Sequence, residues 1–104
     1  MPFYDPGKIQ PVPKPGRNRE MIVQGTNMLM MQIDRFEADK GGSSHPNEQM
    51  TYLLEGKAKF RVGEEVYEVG PGQAVHVPSN VEHELELLTP TIRYIEVFSP
   101  PLDM

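Results

Sequence analysis

Three histidines, His45, His76 and His83, are the residues in this chain best suited to chemistry. A neutral imidazole is a good ligand for a divalent transition metal, and two that converge can hold one. His45 lies in GGSSHPNEQMTYLLEG, a glycine-rich loop that runs into an apolar segment. His83 lies in PGQAVHVPSNVEHELEL, just past a Pro-Ser-Asn turn, where another alternating segment opens. Histidines at the beginnings of strands in two hairpins can meet inside the mouth of a barrel. His76 belongs to QAVHVP, where alternation sets Val75 and Val77 on one face and Ala74 and His76 on the other. Either face could be the inner one, so His76 is a possible additional ligand or an exterior residue. Glu96 and Phe98 share one side of the last alternating segment and are candidates for a pocket wall. A carboxylate such as Glu96 in a partly apolar cavity could serve as general base.

The elements that must position these residues read as strands. MIVQGTNMLMMQIDRF looks like two strands broken at Gly25-Thr26-Asn27, and the second is apolar on both faces at its start. Met28, Met30 and Met50 could therefore line an adaptable apolar pocket, or equally fill a core. After the polar loop EADKGGSS come TYLLEG and KAKFRVG, where Ala58, Phe60 and Val62 alternate with Lys57, Lys59 and Arg61. Gly63-Glu64 turns the chain into EVYEVG, and Pro71-Gly72 turns it into QAVHVP, followed by VEHELELL and IRYIEVF. In VEHELELL the glutamates Glu82, Glu84 and Glu86 form the wet face. Short strands with Gly/Pro turns predict an all-β sandwich or barrel.

Composition sets the outer bounds. The 104 residues suit one domain. The net charge of −5 argues against nucleic acid, which needs a basic face. No cysteine is present, which excludes disulfides and thiolate chemistry. No apolar run is long enough to span a membrane, and MPFYDPGKIQPVPKPG lacks the apolar core of a signal peptide. A cytoplasmic location is the expectation. Five of the eleven prolines fall in the first 20 residues, which predicts an extended N-terminal arm over 1–20 and a folded domain over 21–104.

In its motifs the chain resembles the cupins, small jelly-roll barrels that hold one metal ion. Their first motif is written Gly-x5-His-x-His-x3,4-Glu-x6-Gly, and the second Gly-x5-Pro-x-Gly-x2-His-x3-Asn. Gln49 stands at the acidic ligand's position, seven residues before Gly56, and His45 at the second histidine's position, four before Gln49. Ser43 falls where the first histidine would be. In the second motif Gly72, Pro78 and His83 are in register, with Asn80 and Leu87 as replacements. The resemblance is closest to the KdgF proteins, the small cupins of uronate and pectin breakdown. They read HSHPHEQ and then a strand ending LEG, where this chain has SSHPNEQ and LLEG. They end like DVFSPPRE, where this chain has EVFSPPLD, with Glu96 for Asp and Leu102 for an arginine suited to a sugar-acid carboxylate.

The resemblance implies a cupin-type double-stranded β-helix, an antiparallel jelly-roll β-barrel. It implies one divalent transition metal (Zn, Ni, Fe, Mn or Cu) held by His45, Gln49 and His83. Thr51 and Leu53 share a strand face with Gln49 and would line the cavity with Met28, Met30 and Phe98. Related small cupins commonly pair, so a homodimer is expected, with Phe3, Tyr4 and Ile9 of the arm reaching across. Three functions are compatible with these residues. One is a metal-dependent isomerase, lyase or dioxygenase acting on a small polar or acidic metabolite. The second is a non-catalytic module that binds or senses a small ligand. The third is a barrel with a decayed site that serves in an oligomer.

Overall fold

The computed structural model describes residues 3–38 and 42–102. After a 3-10 turn at Pro6–Lys8 the described chain is all strand and loop. The strands are β1 (Val12–Lys14), β2 (Arg17–Gln24), β3 (Leu29–Arg35), β4 (Glu48–Glu55), β5 (Ala58–Val62), β6 (Glu65–Val69), β7 (Ala74–Val77), β8 (His83–Leu87) and β9 (Ile92–Ser99). They form a six-stranded sheet in the order β1-β2-β3-β9-β4-β7 and a three-stranded sheet in the order β6-β5-β8. All these pairings are antiparallel. The arrangement is a jelly roll of two sheets rather than a closed barrel, because the ladders do not run continuously from one sheet into the other.

Alternation decides which residues enter the core. In β3, Leu29, Met31, Ile33 and Arg35 are buried, and in β9, Ile92, Tyr94, Glu96 and Phe98 are buried. In β4 the inward set is Gln49, Thr51 and Leu53. The three strands are in register through Gln49↔Phe98, Thr51↔Glu96 and Met31↔Glu96. Phe60 and Leu85 from the smaller sheet complete the apolar core with Val75 and Val77. The inner face is thus apolar with polar residues set into it, Gln49, Thr51 and Glu96 on β4 and β9 and Arg35 at the far end of β3.

The N-terminal segment departs from the expected arm. Val12–Lys14 is an edge strand paired with residues 17–19, so residues 12–20 belong to the large sheet. A bulge between Arg19 and Met21 shifts the β2–β3 register. Before it, Arg17 pairs with the inward Arg35 and Arg19 with the inward Ile33; after it, Ile22 pairs with Met31. One extra residue therefore moves the inward phase of β2 from odd to even positions.

Turn chemistry fixes one connection with little tolerance. Gly56, between β4 and β5, has φ of +85°, a left-handed conformation that costs glycine nothing. A Cβ there would also lie 2.6 Å from the Thr91 carbonyl oxygen.

Candidate metal and ligand site

A cavity of about 300 Å³ lies between the sheets, and His45, Gln49, His83, Glu96 and Phe98 all line it. His83 is buried at the start of β8, where its backbone exchanges two hydrogen bonds of 2.9 Å with Ser43. That bridge fastens the His45 loop to the smaller sheet. The two imidazoles meet edge to face with ring centres 5.0 Å apart, and Phe98 packs against His45 at 5.6 Å.

Hydrogen bonds orient both rings. His45 Nδ1 lies 2.9 Å from the Asn47 carbonyl oxygen, and His83 Nδ1 lies 3.1 Å from the Val81 carbonyl oxygen. A carbonyl oxygen only accepts, so each Nδ1 carries a proton and donates, and Nε2 is the ring atom left to face a ligand. Metal-binding histidines are commonly oriented in this way. Gln49 is fixed equally well. Its Nε2 donates to Thr51 Oγ1 at 2.9 Å and to Glu96 Oε1 at 3.1 Å. Its Oε1 therefore faces His45 Nε2 at 3.1 Å.

That contact is satisfied either by a hydrogen on Nε2 or by a metal ion between the two atoms. Donor atoms on one transition metal sit roughly 3 Å from one another when metal–nitrogen bonds are about 2.1 Å long. The chemistry of His45, Gln49 and His83 thus fits a divalent ion that accepts two imidazoles and a neutral oxygen. Among the described residues no group of three or more His, Cys, Asp and Glu is arranged to hold a metal ion, so the amide is needed to make up the set.

Asn47 holds this end of the cavity together. It is buried, and its Nδ2 donates to the Pro100 carbonyl at 2.6 Å and the Pro101 carbonyl at 3.3 Å. The backbone carbonyl of the same residue accepts from His45 Nδ1. Asn47 therefore links the histidine loop to the C-terminal segment, whose Leu102 forms part of the wall.

Several expected site residues lie elsewhere. His76 is on the outer face of the large sheet, 2.6 Å from Glu48 Oε2, and Val75 and Val77 point inward instead. It cannot complete the metal set. Met28 and Met30, expected in the pocket, are 54% and 39% exposed, and Met50 is exposed as well. The pairing of β3 with β9 sends Leu29, Met31 and Ile33 inward and leaves the even positions outside. Leu53 is buried in the apolar core, one alternation beyond Thr51, and does not form the cavity wall. Thr51 also lies off the wall and acts through Gln49 and Glu96, which it bonds.

Three residues of the cavity wall, Arg17, Arg19 and Arg35, are absent from the set expected on sequence grounds. Arg17 and Arg19 fall within the stretch expected to be an arm. The pattern Arg-x-Arg is itself a period-two signal that would place both side chains on one strand face. Arg35 is 5% exposed, and its Nε donates to the Tyr94 hydroxyl at 2.9 Å. Burial pushes the Tyr94 phenol well above its ordinary value, so this hydroxyl stays protonated.

Comparison with known proteins agrees with this architecture. "Uncharacterized protein SCO3923" of Streptomyces coelicolor is 29% identical over 75 residues, covering 68% of this chain and 71% of that protein. KdgF from a Halomonas species superposes with a TM-score of 0.87 at 21% identity, covering 97% of this chain and 94% of that one. An RmlC-like cupin from Shewanella frigidimarina superposes with a TM-score of 0.84 at 19% identity, covering 94% and 89%. These likenesses to solved structures establish the fold. The family model described as "Cupin domain" matches residues 31–97, a span that runs from within β3 into β9 and includes both site histidines, and the chain belongs to the cupin family.

Proposed function

We propose that this cupin is a metal-dependent enzyme acting on a small polar or acidic, sugar-acid-like metabolite. His45, Gln49 and His83 would hold one divalent transition metal through two Nε2 atoms and one amide oxygen. The observation that carries this reading is the 3.1 Å approach of His45 Nε2 to Gln49 Oε1, with both groups locked by other hydrogen bonds. A bound metal would supply Lewis acidity toward a carbonyl or enol oxygen. The remaining work falls to the chain. Glu96 lines the cavity beside Gln49 and is placed to take a proton from a ligand there. Phe98 and Met31 give the bound molecule an apolar wall, and a cavity of about 300 Å³ suits a small metabolite.

The three-donor set also supports a second reading, a cupin that binds or senses a small ligand without turning it over. An uncharged amide in place of a carboxylate weakens attraction for a cation, which favours that alternative. Titration of Zn²⁺ and Ni²⁺ into metal-stripped protein tests the shared premise. Binding should be lost in His83→Ala and strongly weakened in His45→Ala, and should be unchanged in His76→Ala. Unchanged affinity in either of the first two would end the metal reading. Turnover of uronates or keto-acids by the metal-loaded protein then separates the enzyme from the binder.

The same reading includes a homodimer. Met30, Val97 and Met50 stand in one register row on the outer face of the large sheet, and Phe3 is 76% exposed. Apolar surface of this kind favours a second copy. A monomer by light scattering at tens of micromolar protein would refute the pairing.

A further inference from the structure

The cavity carries a second group of chemically active residues that the metal reading leaves unused. Arg17 and Arg35 are direct cross-strand partners on the inner face of the large sheet, and Arg19 follows on the same face. Like charges set opposite each other across a strand pair destabilise a sheet. Here three guanidiniums crowd one wall, and Glu96 is the single carboxylate among the described residues that line the cavity. Three positive groups against one negative leave a formal charge of +2 there, in a chain whose net charge is −5.

The hydrogen bonding shows unused capacity. Arg17 Nε is buried and has no hydrogen-bond partner among the described residues. A buried donor normally finds an acceptor, and Arg17 lines a space large enough to admit one. Arg35 is held by Tyr94 through Nε, which orients its terminal nitrogens. Burial, and next the charge of Arg17, lower the affinity of the Arg19 guanidinium for its proton, with Arg35 adding to the effect and Glu96 opposing it. The free protein thus keeps these cations together at a cost, and a bound anion would offset it.

We propose that Arg17, Arg19 and Arg35 form an anion subsite that binds the oxyanion of a small metabolite, a carboxylate or a phosphate, within the cavity. Guanidinium forks match either group in a two-pronged geometry. The inference rests on the proposed function only in taking this cavity as the ligand site, and it requires no metal. It places the acidic end of the ligand on β2 and β3, and leaves the other end toward His45 and Gln49. It also gives the bulge between Arg19 and Met21 a role, since that extra residue lets Arg17 and Arg19 face inward while Ile22 still meets the core.

Titration calorimetry with malonate and with inorganic phosphate tests the subsite on protein stripped of metal and dialysed free of chelator. At least one probe should bind, and binding should weaken as salt rises. The double variant Arg17→Gln, Arg19→Gln should bind at least tenfold more weakly. Arg17→Gln alone should melt at the same or a higher temperature without ligand and gain less from added ligand than the unsubstituted protein. Malonate alone binding identifies a carboxylic acid, phosphate alone a phosphate ester, and both a site for either. Failure of both probes to bind, or affinity in the double variant within twofold of the original, overturns the proposal. Zn²⁺ titrated into the same double variant should bind at least as tightly as before, since two positive charges have left the cavity. Anion binding without metal binding would end the metal reading and leave the subsite standing; metal binding without anion binding would do the reverse.

Discussion

Gln49→Glu puts the family's carboxylate back at the acidic position, and the structure shows why the result depends on metal. Gln49 Nε2 donates to Glu96 Oε1 at 3.1 Å and to Thr51 Oγ1 at 2.9 Å. In the variant an oxygen replaces that donor, and two carboxylates meet at this spacing. At an effective dielectric of about 20, two charges so close repel by roughly 5 kcal/mol. That figure is a ceiling, because the pair relieves itself by sharing a proton. The relieved pair still costs roughly 3 kcal/mol at a pH where both carboxyls would ordinarily be ionised. For a domain of this size the melting temperature of metal-free protein should then fall by about 10–20 °C at pH 8. The deficit should shrink on moving toward pH 4, where the proton is present in the folded and unfolded chain alike. A divalent cation between the introduced carboxylate and the histidines reverses the sign, so Zn²⁺ should bind more tightly than to the original protein and restore most of the lost stability. The assay is scanning calorimetry with and without Zn²⁺ at both pH values. Equal melting temperatures without metal, together with no gain in metal affinity, would refute the placement of Gln49 between Glu96 and the metal.

Three further outcomes follow from other contacts. Asn47→Ala removes a buried donor from the Pro100 and Pro101 carbonyls and should cost about 1–3 kcal/mol, read as a lower urea midpoint; an unchanged midpoint would mean that the link to the C-terminal segment carries no stability. Gly56→Ala forces a Cβ against the Thr91 carbonyl oxygen at positive φ and should cost about 3 kcal/mol or more, seen as a melting point lowered by well over 10 °C. On the outer face, the hydrogen bond from Arg93 holds the Asp34 carboxyl below its ordinary value, while Glu20, hydrogen-bonded to Asp34, is pushed up. Asp34 therefore stabilises the fold above the unfolded carboxyl range, and that contribution is lost as pH falls through its depressed folded value. Arg93→Met should remove it at pH 7, by under about 1 kcal/mol because the group is partly exposed, and should leave stability near pH 2 unchanged. Urea titrations at the two pH values check this, and an equal loss at both would contradict it.

The amino-acid sequence by itself determined the strands, the turns and the two histidines at the site. Those features are local. A period of two in LMMQIDR or KAKFRV reports a strand, Gly63-Glu64 reports a turn, and His45 and His83 sit at loop-to-strand junctions that a jelly roll brings together. Only the tertiary structure decided which face of each strand looks inward when both faces are apolar. Met28 and Met30 are as apolar as Leu29 and Met31, and the register of β3 against β9 chose between them. The same held for His76, where the pairing of β7 with β4 sent the valines inside. The arginine wall was the least legible part. It depends on one extra residue between Arg19 and Met21, which resets the inward phase of β2, and on a partner strand that arrives later in the chain. A bulge of that kind changes neither composition nor local propensity. It exists because strand pairing must satisfy both the arginines before it and the core residues after it.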